Sequence, residues 1–151
     1  MSKQEHFGLP KMIRKYQKQD TSSVIAVWRS ASALAHPFLS ESFMDETETA
    51  IREKYLPNTE TWIAEKEGQV IGFISLFGNE VGALFLLPEF HGKGLGRKLM
   101  NKAASLHSEL LVEVFKENMI GRKFYERYGF RLMKEYTHEP TGQPVLRLVF
   151  R

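Results

Sequence analysis

"FLLPEFHGKGLGRKLM", residues 85–100, decides how the rest of the chain is read. An apolar strand end and a proline lead into Gly92, Gly94 and Gly96, interleaved with Lys93, Arg97 and Lys98. The spacing predicts a helix from about Leu95 to His107 with an apolar stripe of Leu95, Leu99, Ala103 and Leu106. Its first turn is basic, although the unpaired N–H groups and macrodipole there favour negative charge by ~0.3–1 kcal/mol per residue. An anion seated among those N–H groups reverses the penalty, and glycine lets backbone approach it closely. The competing reading is a glycine-rich turn carrying solvated basic side chains.

Exclusion narrows the choice of anion. A phosphate-binding Walker loop needs GxxxxGK[ST], which "GKGLGR" does not supply. A dinucleotide fingerprint needs a third glycine where Arg97 stands, within a βαβ unit, and the preceding segments read as hairpins instead.

Those segments are "TWIAEK", a turn at Glu67 and Gly68, "QVIGFISLFG" and "VGALFLL", an antiparallel meander of three strands. Upstream, "MIRKY" from Met12 is a strand candidate. Asp20 is placed to cap a helix to about Ala35, with Val24, Val27, Trp28, Ala31 and Leu34 on one face. "HPF" at residues 36–38 breaks it. A second helix runs from about Ser40 to Lys54, with Ser42 and Asp45 as a capping pair and a stop at Leu56 and Pro57. Downstream, "LLVEVF" is a buried strand, and Asn118 caps a helix that ends at Gly129. Two strands near "FRLMKEYT" and "VLRLVF" flank a turn around Pro140 and Gly142. This order predicts an α/β (α+β) domain: a mixed, mostly antiparallel sheet of about seven strands flanked by about four helices.

Composition sets the outer limits. With 151 residues, 42% of them hydrophobic, one domain over residues 12–151 is expected, behind a flexible N-terminal extension or leader at 1–11. No cysteine is present, so disulfides, thiolate nucleophiles and thiolate metal sites are excluded. The five histidines show no ligand spacing, and no metal is expected. No apolar run nears the ~20 residues of a membrane span and no signal-peptide core precedes the domain, which points to the cytoplasm. A net charge of +3 mildly favours anionic partners, but basic residues are dispersed among eighteen acidic ones, and no specific nucleic-acid partner is expected.

On these residues the chain resembles the GCN5-related N-acetyltransferase (GNAT) superfamily. Its pyrophosphate loop, Gln/Arg-x-x-Gly-x-Gly/Ala after a strand and a proline, has the layout of "LFLLPEFHGKGLGR", with His91 in place of the Gln/Arg. The likeness runs from Met12 to Arg151 through "N…FYERYGF" and is similar to small bacterial members of the YjaB type. It implies an acetyl-CoA-dependent N-acetyltransferase that moves acetyl directly to a primary amine on a protein lysine, an N-terminus or a small molecule. The alternative is a CoA-binding sensor without turnover. The resemblance implies that Leu84, Phe85 and Leu86 meet the pantetheine arm. Gly92, Lys93, Gly94, Leu95, Gly96 and Arg97 cradle the pyrophosphate, and Asn118 contacts the arm while capping its helix.

It further implies Tyr125, seven residues after Asn118, as the general acid. A phenol of pKa ~10 protonates a thiolate of ~8.5 uphill by roughly 2 kcal/mol, so it acts mainly as a hydrogen-bond donor with late proton delivery. Glu113 resembles, by its spacing of twelve before Tyr125, the base of the bacterial ribosomal-protein N-terminal acetyltransferase. An outward-facing residue on an alternating strand is the equal reading. Glu80 and His36 stand in reserve. The acceptor groove is expected between the bend at His36 and Phe38 and the last hairpin near Tyr136 and His138. Phe38, Trp62 and Phe77 are expected in the core, and a monomer or homodimer in solution.

Overall fold

The computed structural model describes residues 11–151. The expected N-terminal extension lies outside the described residues except for Lys11, which opens the first strand.

Seven strands form one sheet: β1 Lys11–Lys15, β2 Glu60–Lys66, β3 Gln69–Phe77, β4 Glu80–Leu86, β5 Leu110–Phe115, β6 Arg131–His138 and β7 Gln143–Phe150. Their order is β1-β2-β3-β4-β5-β7-β6. All pairs are antiparallel except β4 with β5. The meander is as expected: Glu67 and Gly68 take φ of 52° and 79°, the double left-handed geometry of a tight primed hairpin turn.

Helices α1 Thr21–Ala35 and α2 Glu41–Ala50 cover one face; α3 Leu95–Leu106 and α4 Met119–Tyr128 cover the other. The α1/α2 core gathers Val24, Val27, Trp28 and Met44 on Ile63 and Phe73. The α3/α4 core gathers Leu95, Leu99, Met100 and Tyr125 on Ile74, Val112 and Val114. Phe73 and Ile74 are neighbours on β3 serving opposite cores, which is why the strand is buried without a break from Val70 to Leu76.

Several local expectations are corrected. Ser40, not Ser42, caps α2, its hydroxyl accepting from the Phe43 N–H at 3.0 Å. The helical path does not stop before Pro57. It widens at Ile51–Tyr55, where the Leu56 N–H reaches back to the Ile51 carbonyl, and continues through Leu56–Asn58. The looser turn accommodates a ring that would clash with a regular i−4 carbonyl. Asp20 stands at the start of α1, but its carboxylate accepts two 2.9 Å bonds from Arg14 and one from the Gln17 N–H instead of capping the helix. Leu34 and Leu106 end their helices exposed, Phe77 is 68% exposed, and Trp62 is only partly buried. Phe38 joins the ring cluster at the cleft described below.

Candidate active site

The site begins with a fault in strand pairing. Ser75 faces Ala83 and Leu76 faces Val81, so Gly82 is an extra residue in β4, a bulge that bends the strand. Parallel pairing with β5 is confined to Glu80 with Leu111 and Val81 with Val112. Beyond Val81 the two strands diverge and leave a gap. The Leu87 N–H donates to the Ile71 carbonyl at 2.9 Å, which fixes the alternation along β4. Residues 83, 85 and 87 turn their backbone groups to β3, and Leu84 and Leu86 turn theirs to the gap. Of the three residues expected to offer backbone there, Leu84 and Leu86 are oriented to do so. Phe85 has its backbone engaged by β3 and its ring on the α1/α2 side, 6.2 Å from His36.

The loop after β4 ends at the start of α3. Gly92 and Gly94 have φ of 77° and 82°, and a Cβ at either would meet nothing within 4 Å. Backbone conformation, not space, demands glycine there. Gly94 occupies the cap position and offers no side-chain acceptor. The N–H groups from Gly92 to Arg97 donate to no protein acceptor among the described residues; the first paired one is Lys98, to Gly94 at 3.1 Å. Six unpaired donors beside Lys93, Arg97 and Lys98 suit a diphosphate in chemistry and charge. Arg97 lies over the Tyr128 ring at 4.9 Å, and Gly96 allows α4 to pack close, since a Cβ there would sit 3.1 Å from Phe124. His91, the departure from the loop pattern, donates from Nε2 to the Leu86 carbonyl at 3.1 Å. It ties the loop to the strand end and leaves the Leu84 groups free.

Across the gap, Asn118 caps α4, its Oδ1 accepting from the Gly121 N–H at 2.9 Å. Tyr125 is 7% exposed, wedged between Phe124 and Phe130. Burial pushes its phenol well above the ordinary value, and no hydrogen-bond partner for the hydroxyl is found among the described residues. A buried donor without a partner is costly in a resting fold and useful beside a group that becomes an anion.

Glu113 lies on the other face. Val112 and Val114 point into the α3/α4 core, so Glu113 and Phe115 point to the α1/α2 side. The carboxylate is exposed, as the outward-facing reading of the strand has it, and Arg147 reaches it at 3.3 Å. Glu113 and Tyr125 therefore occupy opposite faces of the sheet. On the Glu113 side a cleft of about 190 Å³ is lined by Glu80, Glu113, Phe115, His138 and Val145. His138 and Phe115 stack edge to face at 5.3 Å, and Phe38 and His36 meet Phe115 at 5.5 and 5.2 Å. His36 and Phe38 of the bend and His138 of the last hairpin converge on Phe115, but of these three only His138 lines the cleft. Tyr136, however, pairs with Val145 on the edge strand and does not line the cleft.

Residues that the sequence reading missed are Gly82, Arg147, Phe115 and Ser32. An isolated glycine inside a strand pattern is a bulge signal, and Gly82 carried it. Arg147 and Ser32 had no local signal, because their partners are 67 residues away and across a helix turn.

Comparison with known proteins settles the family. Residues 57–132 match the Acetyltransferase (GNAT) domain. The chain belongs to the GNAT acetyltransferases. Among relatives, it is 32% identical over 133 residues to the peptidyl-lysine N-acetyltransferase YjaB of Escherichia coli, covering 87% of this chain and 90% of that protein. It is 28% identical over 134 residues to the peptidyl-lysine N-acetyltransferase YiaC of the same organism, covering 88% and 92%. The solution structure of apo YjaB superposes with a TM-score of 0.84 at 30% identity, covering 94% of this chain and 98% of that one. The PaiA N-acetyltransferase of Thermoplasma acidophilum, solved in complex with coenzyme A, shares the fold with a TM-score of 0.76 at 20% identity over 92% and 98%. This GNAT enzyme is an acetyl-CoA-dependent N-acetyltransferase acting on a primary amine. Acetyl-CoA is its cosubstrate, and no cluster able to hold a metal occurs among the described residues.

Proposed function

We propose that this GNAT domain acetylates lysine side chains of proteins, through a ternary complex assembled in the β4–β5 gap. The cleft carries the reading: carboxylates Glu80 and Glu113 face an aromatic wall of Phe115 and His138, a surface suited to an alkyl chain ending in an ammonium group. Two relatives bear the name peptidyl-lysine N-acetyltransferase, which supports the same acceptor.

Acetyl-CoA supplies an activated acyl carbon and a thiolate leaving group. The N–H groups of residues 92–97 hold its diphosphate, and Leu84 and Leu86 offer the open edge of β4 to the pantetheine arm, with Asn118 opposite. Tyr125 donates its hydrogen bond to the departing sulfur from the α3/α4 side. The amine enters from the Glu113 side, so attack and departure use opposite mouths of one gap. Glu113 receives the amine's proton, directly or through water. A lysine of pKa ~10.4 costs roughly 4–5 kcal/mol to deprotonate at neutral pH, against about 1 for an α-amine near ~8. That cost is what a carboxylate at the cleft helps to meet. No helix among the described residues is long and apolar enough to cross a membrane, which supports a cytoplasmic setting, with one domain on a single sheet.

The test is thiol release with lysine peptides, N-terminal peptides, polyamines and aminoglycosides as acceptors, after thermal unfolding with and without CoA. Binding at a hundred times Kd adds ~2.7 kcal/mol, several degrees for a chain of this size. Turnover on lysine peptides above the others supports the reading; turnover on small amines alone overturns it. CoA binding with no turnover on any amine favours a sensor.

A further inference from the structure

His36 links the two halves of the site in a way the transfer chemistry above does not use. It stands at the end of α1, in the bend packed against the cleft residue Phe115, and its partner Asn118 is 82 residues away at the start of α4. Asn118 Nδ2 lies 3.2 Å from His36 Nε2. The amide cannot be turned around, because Oδ1 is held by the Gly121 N–H. Nδ2 must therefore donate and His36 Nε2 must accept. The ring proton then sits on Nδ1, 2.8 Å from Ser32 Oγ, and the Ser32 hydroxyl in turn points to Met44 Sδ at 3.9 Å. Ser32 is 1% exposed, so this orientation has no competing water. Around the ring stand Phe38 from the bend, Phe85 from β4 and Phe115 from β5, none of them titratable.

We infer that His36 is a positioning residue: held by Ser32, it accepts one Asn118 amide hydrogen and so directs the other into the β4–β5 gap as a donor to the pantetheine arm. A planar amide with its oxygen and one hydrogen engaged has a single direction left for the second hydrogen. Capping of α4 needs only Oδ1 and would survive without His36, which separates positioning from fold maintenance. The same contact ties the bend behind Phe115 to the cofactor-binding helix, so disturbance of the bend is felt by the cofactor. His36 is thereby removed as a base, since both ring nitrogens are engaged.

This inference rests on the proposed seat of the pantetheine arm. Two measurements on the full chain test it. Long-range ¹H–¹⁵N NMR of the wild type should show His36 neutral at pH 6.5 with its proton on Nδ1, the minor tautomer of free histidine; a proton on Nε2 overturns the inference. Titration calorimetry with CoA then compares wild type, His36→Leu, His36→Gln and Ser32→Ala, each checked for thermal unfolding. Losing one oriented hydrogen bond should weaken CoA roughly three- to tenfold in His36→Leu. His36→Gln, whose carbonyl can accept from Asn118, should recover most of it. Ser32→Ala should fall between and serves as the test if His36→Leu does not fold. Equal CoA affinity in wild type and the folded variants overturns the positioning role. No CoA binding by the wild type is a different result, which overturns the cofactor seat itself.

Discussion

Arg147 holds two carboxylates at once: Nη2 and Nη1 bond the two Glu80 oxygens at 2.8 and 3.1 Å, and Nη1 also reaches Glu113 at 3.3 Å. Glu113 and Arg147 are direct partners in the β5–β7 ladder, so the contact is built into strand register. Glu80 is thereby a bidentate partner held in place, and Glu113 keeps an oxygen free for the cleft. Replacing Arg147 by Gln changes the charge of the trio from −1 to −2. The expected outcome is a lower KM for a lysine peptide at low salt and a steeper loss of that affinity as salt rises. Stability should move by less than about 1 kcal/mol, because these ion pairs are partly solvated. Steady-state kinetics at two ionic strengths decide it; an unchanged salt response removes the trio from acceptor binding.

Glu113→Gln separates base from bystander. If the carboxylate takes the amine's proton, kcat/KM should fall more for a lysine peptide than for an N-terminal peptide, because the lysine must shed roughly 3 kcal/mol more. Equal losses on both acceptors at pH 7 would assign Glu113 to electrostatic attraction alone.

Tyr125→Phe tests the unpartnered hydroxyl. Hydrogen-bond donation to the departing thiolate predicts a fall in kcat of roughly 10² or more, with CoA affinity little changed. The folded state should be as stable or more so, because a buried donor without a partner costs ~1–3 kcal/mol. A stability loss with full kcat would make Tyr125 a packing residue that merely borders the gap. Its phenol, pushed up by burial, should contribute no ionisation below pH 10.

Gly94→Ala probes the loop. The position is open to a methyl group but has a φ of 82°, so the cost is conformational, about 1–2 kcal/mol. Gly94→Asn should lose less, since asparagine tolerates that region better than alanine. CoA affinity should weaken in the same order, because the strain is relieved by moving the very N–H groups that we propose hold the diphosphate. A loss of stability without any loss of CoA affinity would detach the loop from the cofactor.

Much of this arrangement was legible from residues 85–100, because the loop's signals are local: glycines of left-handed φ, basic residues on a helix start, and an apolar stripe behind them. The meander and the Asn118 cap were legible for the same reason. What was hidden depends on contacts between distant elements. Glu113 in "LLVEVF" reads equally as a buried charge and as an outward-facing one, and only the gap bordered by β5, which exposes that face, decides between them. Phe38 reads as core because it is aromatic, yet it packs at 5.5 Å on Phe115 beside the cleft. Pro57 reads as a stop because the widened turn that admits it leaves no mark in composition. The bulge at Gly82, which opens the gap, was visible only as a glycine out of place.

His36 also predicts an acid sensitivity of the fold. Burial lowers its pKa from 6.5 to about 4. Between those values the unfolded chain binds a proton that the folded chain refuses, so stability rises with pH across that window. The contribution is fully present above pH 6.5 and is lost as the pH falls towards 4, to a total of about 3 kcal/mol. Denaturant unfolding at pH 7.5, 6, 5 and 4.5 should show that decline, and His36→Gln should flatten it relative to wild type. Asp20 acts in a separate and lower window: hydrogen bonding to Arg14 holds its carboxyl below the usual value of 3.8, so its share is lost only in stronger acid. A wild-type stability that stays level from pH 7.5 to 4.5, or a His36→Gln profile identical to wild type, would place the neutral ring in equilibrium with a charged one. The acceptor nitrogen for Asn118 would then not be maintained, and the bend behind Phe115 would be free to move independently of α4.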